Sequence, residues 1–125
     1  MDKKIKFREI TLESGTKITL GKDKESNDAL MGKFKGKKNT ILHTLAPGSP
    51  FCVINNLNPS KKDVYTAGIF CAKYSQSWRE SKKNVLISVF TGKEISKSKN
   101  MKTGTWNVKK SEQIIIKKED ISRIQ

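Results

Sequence analysis

The sequence predicts an α+β domain: a mixed, mostly antiparallel sheet with one long helix and one short helix packed on it. Three observations carry this. Apolar residues fall in strand-length runs separated by turns that bear glycine or proline. Two of these runs, Ile41 to Ala46 and Phe51 to Ile54, flank Pro47-Gly48-Ser49-Pro50 and form a strand pair in the middle of the domain. A third stretch, Lys61 to Glu80, places its apolar and small residues at helical spacing.

Taken in order, Lys6 to Ile10 and Thr16 to Leu20 predict a β-hairpin turned by Ser14-Gly15. Gly21-Lys22-Asp23 breaks the second strand. Asp23 or Ser26 then caps a short helix carrying Leu30, Met31 and Phe34, which ends in the basic loop Lys33 to Lys38. In the central pair, Pro47 presets φ for the first turn position and Gly48 supplies the positive φ of a type II turn. Pro50 has no N–H to give a ladder, so it belongs at the start of the second strand. Ser60 and Asp63 open the long helix, whose stripe is Val64, Ala67, Gly68, Cys71, Tyr74, Ser75 and Trp78. Val85 to Thr91 is apolar nearly throughout and reads as a central strand ended by Gly92. Lys93 to Lys102 is polar and predicts a solvated loop or edge strand. Ile114 to Ile116 is a last strand, and Lys117 to Gln125 a polar tail with Ile121 and Ile124 as docking residues. One domain over residues 1–125 is expected, without repeat or linker.

The formal net charge of +14 on 125 residues is the strongest bulk fact and points to a polyanionic partner. No apolar run approaches the roughly 20 residues of a membrane span, and Met1-Asp2-Lys3-Lys4-Ile5-Lys6 lacks the apolar core of a secretory signal. A cytoplasmic location and no membrane partner are expected. Cys52 and Cys71 lie in apolar surroundings with no CxxC, so reduced core cysteines are expected, and neither zinc nor a disulfide framework.

His43 is the sole histidine. A general base needs a nucleophile and an orienting group. Ser49 and Cys52 are near in sequence but stand in no nucleophile elbow. There is no GxGxxG and no Walker motif, and the 12 carboxylates show no metal or acid/base spacing. The expectation is therefore no catalysis, no cofactor and no metal. Lys33 to Lys38, Arg79 to Lys83 and Lys93 to Lys102 fall at element ends, where loops can converge on one face. Trp78, Trp106 and Tyr74 lie near them in sequence. Cations interleaved with aromatics suit phosphate contact with base stacking. Successive N–H groups around Gly48-Ser49 can form an anion site.

Several segments together resemble the NFACT-R domain, the RNA-binding module of proteins acting in ribosome-associated quality control. They are Phe7-Arg8 with Gly15, Gly21-Lys22 with Asn27-Asp28 and Leu30, Leu42-His43 with Pro47-Gly48-Ser49 and Val53-Ile54, Ala72 with Tyr74-Ser75 and Arg79, and Lys93, Lys97 and Lys99 with Gly104. Order and spacing match from about Phe7 to Lys117. Lys22 stands where the family usually has Arg, which keeps charge and loses the bidentate fork. Pro50 stands where many members carry a second histidine. The family's other domains are not found, so the chain resembles a stand-alone NFACT-R protein.

The resemblance implies non-catalytic binding of tRNA or ribosomal RNA in translation or ribosome-associated quality control. The ribosome, or a protein supplying the missing NFACT domains, is the expected partner. Lys22, Asn27, His43, Gly48, Ser49, Arg79, Lys93, Lys97, Lys99 and Lys102 are the expected RNA-binding residues. Two rival classes are a component or catalyst of RNA modification using His43, Ser49 or Cys52, and an adaptor for an acidic protein surface.

Overall fold

The computed structural model describes residues 5–124. The opening Met1-Asp2-Lys3-Lys4 and the final Gln125 lie outside the described residues. The elements are β1 (Arg8–Thr11), β2 (Lys17–Leu20), α1 (Lys24–Phe34), β3 (Thr40–Thr44), β4 (Cys52–Ile54), α2 (Lys61–Lys73), α3 (Gln76–Ser81), β5 (Val85–Thr91), a 3-10 turn (Gly92–Glu94), β6 (Ile95–Ser96), β7 (Asn107–Val108), β8 (Glu112–Ile116) and α4 (Lys118–Ser122). The main sheet has the order β1-β2-β4-β3-β5-β8 and is antiparallel at every pairing. A two-stranded sheet joins β6 to β7. No helix of the described residues is long and apolar enough to cross a membrane.

The expected central pair occupies the middle of the sheet, with Ile41 opposite Val53 and Leu42 opposite Cys52. Successive side chains on a strand point to opposite faces. Leu42 and Cys52 therefore join the core under α2, with Ala67, Cys71, Ala72 and the Ile121 of α4. Ile41 and Val53 join the core under α1, with Leu30, Met31 and Phe34. Both faces of the middle strands are covered, which explains why these runs are apolar without alternation.

Asp23 caps α1: its carboxylate accepts the Ser26 N–H at 2.8 Å, and the Ser26 hydroxyl oxygen accepts the Asp23 N–H at 3.0 Å. This is a reciprocal capping box with serine in the place of the usual acid.

Two expectations are corrected. The long helix from Lys61 to Glu80 is two helices. Buried Ser75 ends the first by donating its hydroxyl to the Ala72 carbonyl at 2.6 Å, and starts α3 by accepting the Trp78 N–H at 3.2 Å. Its side chain competes with the helix for backbone partners, as serine does. Within the polar tail, residues 118–122 form α4, which docks on the core through Ile121 at 1% exposure. The basic segments do not all converge. α1 spans the sheet from end to end, so residues 33–38 lie where β3 begins, with the Gly36 N–H bonded to the Gly92 carbonyl at 2.7 Å. Arg79 lies on α3 at the opposite end, where β3 gives way to the Gly48 loop.

Candidate nucleic-acid interface

The loop 45–51 is held from four sides. The Ser49 hydroxyl oxygen accepts the Thr44 N–H at 3.0 Å, and its proton points to the Pro50 carbonyl at 3.4 Å. The Asn27 Oδ1 accepts the Phe51 N–H at 3.0 Å, and the Gly21 N–H donates to the Phe51 carbonyl at 3.1 Å. The Gly48 carbonyl accepts the Gln76 N–H at 2.7 Å, tying α3 to the loop. Gly48 has φ +91°, the value expected of it, and a Cβ there would also meet Gln76 Oε1 at 2.5 Å. At Gly21 a Cβ would stand 2.0 Å from Asn27 Oδ1, so only glycine lets Asn27 reach the loop. Asn27 and Ser49, both expected to touch RNA, are thus brackets whose polar groups hold backbone.

These brackets shape a cleft of about 430 Å³. Its walls include Lys22 and Lys24 before and at the start of α1, Gly48 to Pro50, and Arg8, Tyr74 and Arg79, with Thr103 to Thr105 opposite. The Arg8 guanidinium carbon lies 3.9 Å from the Tyr74 ring centroid, a cation–π contact. The Arg79 Nη1 donates to the Tyr74 carbonyl at 3.1 Å. Four cations line the space against the single carboxylate of Asp23, which is the α1 cap.

The wall 103–105 is fixed by Asp28. Its Oδ1 accepts from the Lys97 ammonium, from the Gly104 N–H at 2.9 Å and from the Trp106 indole N–H at 3.0 Å. Burial alone would raise this carboxyl, but the Lys97 and Gly104 hydrogen bonds, the Lys97 charge and the Trp106 bond outweigh it and hold it below 3.8. Lys97 also donates to the carbonyls of Lys102 at 3.0 Å and Thr105 at 3.1 Å. An ammonium has three donors, so all of Lys97's are used inside the chain. Lys99 and Lys102 are exposed on the same loop. Lys93 sits in the 3-10 turn after β5, at the far end of the sheet from Gly48.

His43, on β3, faces a second hollow, lined by Phe51, Ser88, Phe90, Trp106 and Val108 among others. Gly48, Gly104 and Thr105 border both spaces. The His43 ring stacks on Phe51 with centroids 4.2 Å apart, and Phe51 meets Phe90 edge-on at 6.5 Å. Burial lowers the His43 pKa below 6.5, against backbone hydrogen bonds to Thr44 and Ser49 that favour the cation. Its Nδ1 lies 2.9 Å from the Thr44 carbonyl oxygen. Carbonyl oxygens only accept, so Nδ1 carries the proton and Nε2 of the neutral ring is an acceptor. Cys52 and Cys71 are buried and unpaired. Burial raises both thiols, Cys71 to about 12. Among the described residues no three His, Cys, Asp or Glu side chains gather as a metal site would need.

The structure therefore gathers Lys22, Asn27, Gly48, Ser49 and Arg79 at one cleft and puts His43 beside it. Arg8, Lys24 and Asp28 are site residues that the expected set lacks, and Tyr74, expected only as an aromatic near the basic segments, lines the cleft. A signal existed: two of the chain's three arginines, Arg8 and Arg79, end at Tyr74 in a background of lysine.

A family model described as the NFACT protein RNA binding domain matches residues 6–110. The fold is similar to a solved structure described as the C-terminal of the fibronectin/fibrinogen-binding protein from Streptococcus suis. The TM-score is 0.83 at 22% sequence identity, covering 100% of this chain and 51% of that one. The chain thus spans about half the length of that neighbour. No curated protein matches it.

Proposed function

The chain belongs to the NFACT RNA-binding domain family, and from that premise we propose that it binds RNA through the cleft at Gly48 and performs no chemistry on it. The observation that carries this is the lining: Arg8, Lys22, Lys24 and Arg79 surround a space walled by hydrogen-bonded loops, with Tyr74 under one guanidinium. Cations so placed neutralise backbone phosphates and release condensed counterions. Backbone N–H groups and arginines fix register without reading sequence. Lys99 and Lys102 extend the charge along the rim, and Lys93 adds to the general field of a +14 chain. Lys97 contributes by holding the 103–105 wall.

The RNA we propose is tRNA or ribosomal RNA, met in the cytoplasm during translation or ribosome-associated quality control. The ribosome, or a protein carrying the other NFACT domains, is the proposed partner. Mobility shifts with tRNA, a ribosomal RNA fragment, duplex DNA and an acidic polypeptide at matched salt test this. RNA bound at least about tenfold tighter than the polypeptide supports it. Equal binding of all four would reduce the site to bulk charge.

A further inference from the structure

The hollow beside His43 is unlike the cleft it adjoins. Its lining is aromatic: His43 stacked on Phe51, Phe90 edge-on to Phe51, and Trp106. Polar side chains in it are few: the His43 ring edge, Ser88, Thr105 and Thr44, whose hydroxyl is given to the Ala46 carbonyl. Its volume is about 340 Å³. The wall between the two spaces is low, since two of the three residues they share, Gly48 and Gly104, have no side chain.

We propose that this hollow receives one unpaired nucleobase of the bound RNA while that nucleotide's phosphate lies in the basic cleft. The proposal rests on the RNA reading above and adds the form of the substrate: single-stranded or splayed, not duplex. Phosphates need cations, and these are in the cleft. A base needs apolar ring faces and an edge partner, and these are in the hollow. His43 supplies that partner. With its Nδ1 proton given to the Thr44 carbonyl, Nε2 accepts from a base N–H or exocyclic amine. A neutral imidazole acceptor has nothing to offer a phosphate oxygen, which is itself only an acceptor. The placement of His43 away from the cations is therefore consistent with base contact. A base stacked in a duplex cannot reach such a recess, so pairing excludes it.

The test uses a short single-stranded oligoribonucleotide and the same strand annealed to its complement, titrated at matched salt against the intact chain. Two variants are compared with it. Ser88→Phe plugs the hollow from β5, and His43→Phe keeps a ring on Phe51 but removes the edge acceptor. The expected result is a single-strand preference of at least about fivefold, the low end of one base stacked on aromatics. Ser88→Phe should abolish it and His43→Phe should reduce it, since the ring face stays and only the edge acceptor goes, with duplex binding and its salt dependence as they were in the plugged variant. Equal affinity of the unaltered chain for both RNAs overturns the base site but leaves the cleft reading standing. So does a full preference kept by the plugged variant. Binding of neither RNA overturns the cleft reading and this one with it.

Discussion

The Asp28 carboxylate pairs with the Lys97 ammonium across 69 residues of sequence, and the same oxygen collects the Gly104 and Trp106 N–H donors. A lysine that looks solvent-facing in sequence is therefore a strut between α1 and the 97–105 loop. Asp28→Asn keeps an acceptor and loses the charge. It should lower stability by about 1–3 kcal/mol, the worth of charge-assisted bonds at a partly buried site. Lys97→Met should cost a similar amount, and the double variant less than the sum, because both remove one interaction. Additive losses in chemical denaturation would show that the pair is not coupled. With a depressed carboxyl, this contribution is present above pH 3.8 and is lost as pH falls through the lower folded-state value.

Gly48→Val places a branched side chain at φ +91° and against Gln76. The expected loss is about 1–3 kcal/mol from backbone strain, read as a lower melting temperature. A variant as stable as the parent would mean that the loop relaxes to another conformation.

For His43 the sign follows from burial. The unfolded imidazole takes a proton near pH 6.5, while the folded one resists it to a lower pH. Stability is thus fully present above pH 6.5 and declines as pH falls below it toward the lower folded-state value. His43→Gln, which cannot become cationic, should flatten the melting temperature over that window. If the variant keeps the parent's slope there, another group is responsible.

The legible part of the fold was what local chemistry decides. Asp23 and Ser60 cap their helices three residues on, and the positive φ of Gly48 is a local turn property, so the caps and the central pair could be read directly. What failed had long-range causes. Ser75 looked like one more small residue on a helical stripe, and only burial and its bonds to Ala72 and Trp78 show it as a break. Lys97 looked like its neighbours Lys99 and Lys102, because nothing local marks Asp28 as its partner. The cleft was half legible: Gly48 and Arg79 were named, yet Arg8 enters from β1 through a contact with Tyr74 that no spacing encodes.

The central claim is that a defined cleft, and not total charge, meets the RNA. It is tested most directly by the salt dependence of tRNA affinity for two triple variants of equal charge. One removes Lys22, Lys24 and Arg79 as alanines. The other removes Lys61, Lys62 and Lys118, exposed at the starts of α2 and α4. Each phosphate contact adds roughly 0.7–0.9 to the slope of log K against log salt. The account predicts that the cleft triple flattens the slope by about 2 and weakens binding, while the control triple leaves the slope as it was. Equal flattening by both triples, or an unchanged slope in the cleft triple, would contradict it.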